Sequence, residues 1–206
     1  AELSRGRVEQ DGALAGNLDK IIQSCNRARD LVRQILTFSR REGGELVPVA
    51  MNEIAAEAAK LLRASIPANI EIRLRLPEAP VFVTANATHM HQLLMNLGAN
   101  AAQAMSENGG VLDIELAPCA LDSTYTAGHF AVAEGDYARL TVRDTGEGIP
   151  PENLQRIFDP FFTTKEVGKG TGMGLAVVYG ILKNHGGDIK VASEVGRGTT
   201  FEIVLP

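Results

Sequence analysis

Asn96 and Asn100 stand four residues apart in THMHQLLMNLGANAAQAMS, residues 88–106, nineteen residues without one Asp, Glu, Lys or Arg. On a helix that spacing aims both amides the same way, one turn from each other. Amide carbonyls are hard oxygen ligands, and Mg2+ accepts one or two such protein ligands while phosphates and waters complete its octahedron. The same amides would equally satisfy buried backbone or each other, and at this point both readings stand. His89, Gln92 and Gln103 share their helical face, whereas Met90, Leu93, Leu94, Leu97, Ala101 and Met105 fall on the other. An ordinary surface helix fills its polar face with Lys and Glu. This one carries amides and a mid-helix Gly98, which costs ~1 kcal/mol against Ala, so local stability has been given up for another purpose.

A second group lies in LTVRDTGEGIP, residues 140–150, where an alternating strand runs into Asp144 and then a turn containing Gly146, Gly148 and Ile149. An ionised Asp only accepts hydrogen bonds, so its natural neutral partner is a donor such as an exocyclic amine. An ordinary Asp-Thr-Gly turn is the plainer alternative. Third, GKGTGMGLA, residues 168–176, gives four of nine positions to glycine. Two phosphate templates fail on it: Gly168-Lys169 is followed by Gly170 where a Walker A loop needs Ser or Thr, and the spacing is GxGxG rather than GxGxxG. What remains is a flexible turn, or glycines exposing N–H groups ahead of a helix that starts near Gly172 and aims free donors at an anion. Between these two groups IFDPFFTTKEVGKG places Phe158, Phe161 and Phe162 in a polar loop, and Lys165 and Lys169 bracket the glycines as point cations for phosphate. Aromatics in such a loop anchor it to a surface or dock on a partner.

The elements that must position these groups follow from periodicity. The pattern predicts strands near 45–49, 69–76, 81–85, 111–118, 137–144, 188–193 and 199–205, and helices near 51–65, 88–105 and 172–185. NIEIRLRLP and GDIKVAS alternate apolar and polar, which suits an antiparallel or mixed sheet with one covered face. Helices on that face make the fold α+β, a two-layer α/β sandwich. Residues 145–171 read as loop, and a stretch of that length inside a domain is expected to be a functional lid, about 150–170. Ahead of the sandwich, Leu18, Ile21, Cys25, Ala28, Val32 and Ile35 step by threes and fours from Asn17 to Arg41, the seam of a helix that wants a partner helix.

With 206 residues, 45% hydrophobic and 22% charged, the chain has the composition of a soluble globular protein. A net charge of −5 does not suggest a nucleic-acid or acidic-membrane partner; Arg27, Arg29, Arg33, Arg40 and Arg41 are read as a solvated helix face. Cys25 and Cys119 have no framework spacing, so a reducing compartment is expected. The longest apolar run, MGLAVVYGIL, is far short of the ~20 residues of a membrane span, and no signal-peptide pattern opens the chain. The start AELSRGRVEQ reads as a chain cut inside a larger protein.

In this order the pieces resemble the catalytic ATP-binding domain of sensor histidine kinases, in the GHKL ATPase superfamily. NLGANA is similar to the N box, DTGEGI to the G1 box, FDPFF to the F box and GTGMGL to the G2 box, and GRGTTFEIVLP to the closing strand. The likeness covers residues 45–206, an expected Bergerat ATP-binding fold, with FFTTKEVGKGTGMGLAVVYGI particularly similar to kinases of the hybrid and nitrogen-regulatory kind. It implies ATP and Mg2+ as cofactors. Asp144 would take the adenine amine, Asn100 would coordinate Mg2+, and Asn96 would lie one turn away near the phosphates. Gly170, Thr171, Gly172 and Gly174 would line the triphosphate under the lid. The implied nucleotide set extends to Gln103, Gly146, Gly148, Ile149, Lys165, Gly168, Lys169, Met173, Leu175 and Thr200. ATP-hydrolysing relatives carry a Glu at the position matched to Asn96, and an amide cannot take a proton as that Glu does, so stray hydrolysis is expected to be slow.

Residues 1–42 resemble the end of the dimerisation and phosphoacceptor hairpin, with RARDLVRQILTFSR as its second helix. The family phosphorylates a His usually followed by an acidic residue; here His89, His91, His129 and His185 precede Met90, Gln92, Phe130 and Gly186. Each is therefore read as structural, and the acceptor is expected upstream of Ala1, so that the chain binds Mg-ATP without completing autophosphorylation in cis. The implied partners are a response regulator receiver domain and a second copy through the hairpin in the parent protein, with the portion here cytoplasmic. A GHKL ATPase or a non-catalytic docking module are the alternatives; the first would hydrolyse ATP steadily and the second would bind no nucleotide.

Overall fold

Alternate apolar residues on two long strands, Leu112, Ile114 and Leu116 on one and Ala138, Leu140 and Val142 on the other, form the buried middle of a five-stranded sheet. These strands are β4 (Gly110–Leu121) and β5 (Gly135–Asp144). With β2 (Ile70–Arg75), β6 (Asp188–Glu194) and β7 (Gly198–Leu205) they give the order β2-β4-β5-β7-β6. The β2–β4 pair is parallel and the other three are antiparallel, a mixed sheet as the alternation suggested. A separate antiparallel ribbon pairs β1 (Val47–Ala50) with β3 (Phe82–Ala85). The structure, a computed structural model, describes residues 22, 45–126, 132–165 and 170–206. Apart from residue 22, the seam from Asn17 to Arg41 and the hairpin expected over 1–42 lie outside the described residues, as does His129.

Three helices cover the inner face of the sheet: α1 (Met51–Ser65), α2 (Ala87–Ala104) and, numbering two short helices before it, α5 (Gly174–Asn184). Each buries a stripe at helical spacing. Met51, Ile54, Ala55, Ala58 and Leu62 serve α1, Met90, Leu93, Leu94, Leu97 and Ala101 serve α2, and Val177, Val178, Ile181 and Leu182 serve α5. These stripes join the strand residues in one cluster. The glycine inside α2 has a packing cause: a Cβ on Gly98 would stand 2.5 Å from Leu62 Cδ1, so α1 crosses α2 where no side chain intervenes. Its propensity cost is repaid by burying Leu62, a side chain of the kind that gains ~1.5–3 kcal/mol on leaving water.

α2 begins where Asn86 caps it, its Oδ1 accepting the His89 N–H at 3.1 Å. The Asn86 N–H in turn donates to His185 Nε2 at 3.2 Å, and His185 Nδ1 lies 2.7 Å from the Ile181 carbonyl oxygen, which only an N–H there can satisfy. Buried His185 thus ties the end of α5 to the start of α2. His89 meets it edge-to-face with ring centroids 5.4 Å apart, and burial first, then the neighbouring imidazole of His185, lowers the pKa of His89. His91 Nε2 lies 3.1 Å from Glu57 Oε2 on α1.

The outer face of the sheet is charged: Arg75 of β2 pairs with Asp113 and Glu115 of β4. At one end Leu121, Val132 and Val204 make a small second cluster beside α3 (Ser123–Thr126). Residues 145–171 differ from the expected plain loop, because α4 (Pro151–Leu154) and a run of turns carry the chain to Phe161. Ile157, buried at 7% exposure, pins that segment to the core. Among the described residues no helix is long and apolar enough to cross a membrane.

Candidate nucleotide site

Asp144 is the last residue of β5 and is only 4% exposed. Its Oδ1 accepts two backbone N–H groups, from Gly146 at 2.9 Å and Thr199 at 3.2 Å. Burial raises its pKa, the two N–H bonds oppose that, and the neighbouring Glu147 charge adds to the rise. β7 passes this strand end so closely that a Cβ on Gly198, where φ is +106°, would sit 2.1 Å from the Asp144 carbonyl oxygen. The turn after Asp144 is hooked onto the C-terminal end of α2. A Cβ on Gly146 would stand 2.7 Å from the Ala104 carbonyl oxygen, and the Glu147 N–H donates to that same oxygen at 3.1 Å. On the sheet side the Ile149 N–H donates to Ser193 Oγ at 2.8 Å, and Ser193 Oγ lies 2.9 Å from Thr199 Oγ1. Gly148 fits tightly there too, its absent Cβ 2.3 Å from the Glu194 carbonyl oxygen.

One and two turns back along α2 from Ala104 come Asn100 and Asn96, both half-buried. The first residue of α5 lies against them: a Cβ on Gly174 would be 3.5 Å from Asn100 Nδ2, 3.7 Å from Asn100 Oδ1 and 3.9 Å from Asn96 Oδ1. The unpaired N–H groups of the first turn of α5 are thereby next to the two amides. Ahead of Gly174, the Gly172 carbonyl accepts the Phe161 N–H at 2.9 Å, and with φ at +65° its absent Cβ would be 2.5 Å from the Phe161 carbonyl carbon. Only glycine allows the run to lie against the Phe161 backbone this way. Gly170 lies against Thr163, its absent Cβ 3.0 Å from Oγ1. Thr171 Oγ1 accepts the Met173 N–H at 3.4 Å.

Two of the three phenylalanines after α4, Phe158 and Phe162, pack against the core. Phe158 packs on Tyr179 of α5 with centroids 5.4 Å apart, and the Arg156 guanidinium sits 4.5 Å over the Phe162 ring. Phe161 is exposed and has φ +67°, a left-handed backbone unusual for an aromatic residue. Lys165, half-buried, donates from Nζ to Gln103 Oε1 on α2; burial lowers its pKa and the Glu147 charge works against that.

The chain therefore brings Asn96, Asn100 and Gly174 together, Gln103 together with Lys165, and Asp144 and Gly146 to the same helix. Met173 is buried and Leu175 and Ile149 pack against the core, so these three contribute backbone and packing to the site. Gly168 and Lys169 lie outside the described residues. Thr200 is displaced from the expected position. It stands opposite Arg143 in the β5–β7 register, and the alternation of strands puts its side chain on the face away from Asp144. The residue beside Asp144 is Thr199, which a count by twos from buried Phe201 would have found.

The donor set is consistent with Mg2+ held jointly with a ligand. Asn96 and Asn100 offer two neutral oxygens, and among the described residues no group of three or more His, Cys, Asp or Glu is placed to hold a metal unaided.

A family model described as histidine kinase-, DNA gyrase B- and HSP90-like ATPase matches residues 85–206. The chain belongs to this family. Sensor kinase CckA of Brucella abortus is 42% identical to it over 186 residues, which are 90% of this chain and 20% of that protein. Sensor histidine kinase ZraS of Escherichia coli K12 is 33% identical over 190 residues, 89% of this chain and 36% of that protein. The chain thus spans about a fifth to two fifths of the length of the curated relatives it matches. Among solved structures, the catalytic domain of histidine kinase ThkA, in a nucleotide-free form, is 31% identical with a TM-score of 0.61, covering 79% of this chain and 95% of that one. The mixed sheet with its helical layer is the α+β sandwich of histidine kinase catalytic domains, and the chain carries the ATP-binding core of a two-component sensor kinase.

Proposed function

We propose that residues 45–206 bind Mg-ATP along α2 and transfer its γ-phosphoryl group to a histidine. The observation that carries this reading is the use of one helix for every recognition point. The turn that positions Asp144 is hooked to Ala104, and Asn100 and Asn96 meet the start of α5 at ~6 and ~12 Å further along the axis, at 1.5 Å per residue. That spread suits an elongated ligand with a base at one end and a polyphosphate at the other. Asp144 Oδ1 is occupied by backbone, which leaves Oδ2 to accept the adenine amine. Gly170 to Gly174 and the N-terminus of α5 supply N–H donors to the phosphates, with Lys165 as a point cation. Mg2+, held by Asn100 with Asn96 alongside, would neutralise charge on the phosphates.

In the transfer, an imidazole nitrogen lone pair forms a bond to the γ-phosphorus while the bond to the ADP oxygen breaks. Asn96 cannot take a proton from water, which keeps the γ-phosphoryl group for the histidine. None of the four histidines here is the acceptor: His185 is committed to Asn86 and Ile181, and no acidic residue follows any of them. Residues 1–42 would be part of the dimerisation hairpin, the receiver domain of a response regulator the next phosphoryl acceptor, and the cytoplasm the place of the reaction.

Calorimetry with Mg-ADP tests the pocket. Asn100→Ala is expected to lose Mg-ADP affinity while retaining adenosine binding, and Asp144→Ala to lose both; wild-type affinity in either variant overturns the assignment. Asn96→Glu should raise steady-state ATP hydrolysis, and an unchanged rate removes the role given to Asn96. Transfer of labelled γ-phosphate to an intact hairpin supplied in trans tests the kinase step.

A further inference from the structure

α2 and its neighbours pose a charge problem. A polyphosphate lying along this helix meets no cation from it, since residues 88–106 contain none. Among the described residues of the lid there are two cations, and Arg156 is engaged with the Phe162 ring and, at 3.8 Å, with Asp159. The other is Lys165, and its ammonium is set down on Gln103, one turn along the helix from Asn100 on the amide face. Gly170 closes over the aliphatic part of the same side chain, its absent Cβ 3.3 Å from Lys165 Cδ.

We propose that Gln103 is a positioning residue whose amide oxygen holds the cation Lys165 one turn from Asn100, where its remaining N–H donors reach the polyphosphate. The inference rests on the Mg-ATP reading above. The chemistry is simple. An ammonium has three N–H donors. The amide oxygen of Gln103 takes one, and others remain for a phosphate oxygen without Lys165 leaving its place. A neutral acceptor suits this use better than a carboxylate, which would bind the lysine more strongly and repel the incoming anion. Burial already works against the charge on Lys165, and an anion brought alongside restores the preference for the charged form. Gln103 acts through Lys165 and need not touch the nucleotide.

A double-mutant cycle on the whole chain, read by calorimetry with Mg-ATP and with adenosine, tests this. Lys165→Met is expected to weaken Mg-ATP by about tenfold or more, the loss of a charge-assisted contact, with adenosine unchanged. Gln103→Leu is expected to weaken Mg-ATP several-fold in the wild-type background and much less when Lys165 is already Met, because its effect on the nucleotide is carried by the lysine. Gln103→Lys combined with Lys165→Met puts the cation on the helix and should recover most of the lost affinity. Additive losses in the cycle, or a loss of adenosine binding equal to that of Mg-ATP, overturn the proposal, since a merely structural role would give them. Wild-type Mg-ATP affinity in Lys165→Met overturns it as well while leaving the nucleotide site standing; failure of the wild-type chain to bind Mg-ATP or adenosine would instead remove the reading beneath it.

Discussion

Asp144→Asn separates recognition from folding at the base of the site. The substitution keeps the shape of the side chain and keeps an oxygen at Oδ1, where the Gly146 and Thr199 N–H groups point at 2.9 and 3.2 Å. The NH2 group must then occupy the Oδ2 position, and a donor faces the adenine amine, itself a donor. Losing a charged acceptor costs about 1.5–3 kcal/mol and leaving a buried donor unpaired about 1–3 kcal/mol. Taking about 3–4 kcal/mol in all, Mg-ADP affinity falls on the order of a few hundredfold. Stability should hold or rise, because burial already makes the ionised Asp144 costly in the free protein. The assay is calorimetric titration with Mg-ADP beside thermal melting, with inosine diphosphate as the control ligand. Inosine carries a carbonyl where adenosine carries the amine, so Asp144→Asn should narrow the preference for ADP over IDP. A variant that binds Mg-ADP within threefold of wild type at unchanged melting temperature refutes the argument, as does an ADP-to-IDP ratio that does not move.

The same residue sets a pH response of opposite sign in the free and bound protein. With the folded-state pKa raised by burial, ionised Asp144 opposes folding, so its contribution to stability improves as pH falls through the raised value, while Mg-ADP affinity declines there because the protonated carboxyl becomes a donor; titrations at stepped pH, flat for this component in Asp144→Asn, check both signs. Gly172→Ala adds a Cβ 2.5 Å from the Phe161 backbone at φ +65°, and should detach the lid and weaken Mg-ATP by about tenfold or more while the core melts as before, measured by calorimetry and hydrogen exchange. Gly98→Ala gains ~1 kcal/mol of helix propensity but overpacks against Leu62 at a cost of about 1–3 kcal/mol, for a net loss of up to about 2 kcal/mol by denaturant unfolding. In a Leu62→Ala background the same change should be neutral or stabilising, because the clash is gone.

The large elements were legible because their periodicity is strong. The apolar steps from Met51 to Leu62 and from Met90 to Ala101 can only be helices, and their ends fell within a residue or two of the expected ones. α4 was not legible, since four residues opening on Pro-Glu carry no period, and what fixes them is the burial of Ile157 three residues later. In the candidate site, Asn96, Asn100, Asp144 and the glycines were singled out from residue type, and the structure brings Asn96, Asn100 and Gly174 together. The choice of Thr199 over Thr200 could not be read that way: it depends on which β7 residue pairs with Arg143, and a slip of one position reverses the face. Gly98 was seen as a cost without a cause because its cause, Leu62, belongs to another helix. Gln103 and Lys165 stand sixty-two positions apart, and no local pattern joins them.

The clamp on Asp144 joins positions fifty-five apart, and the cap from Asn86 to His185 joins positions ninety-nine apart. Contacts of such span form late, after the closure entropy of the intervening chain has been met. During synthesis, then, a polypeptide that has emerged only as far as α5 holds its asparagines and its acid without a floor between them, because β7 is still inside the ribosome. Competence for the ligand arrives with the final strand, and an unfinished domain does not sequester nucleotide.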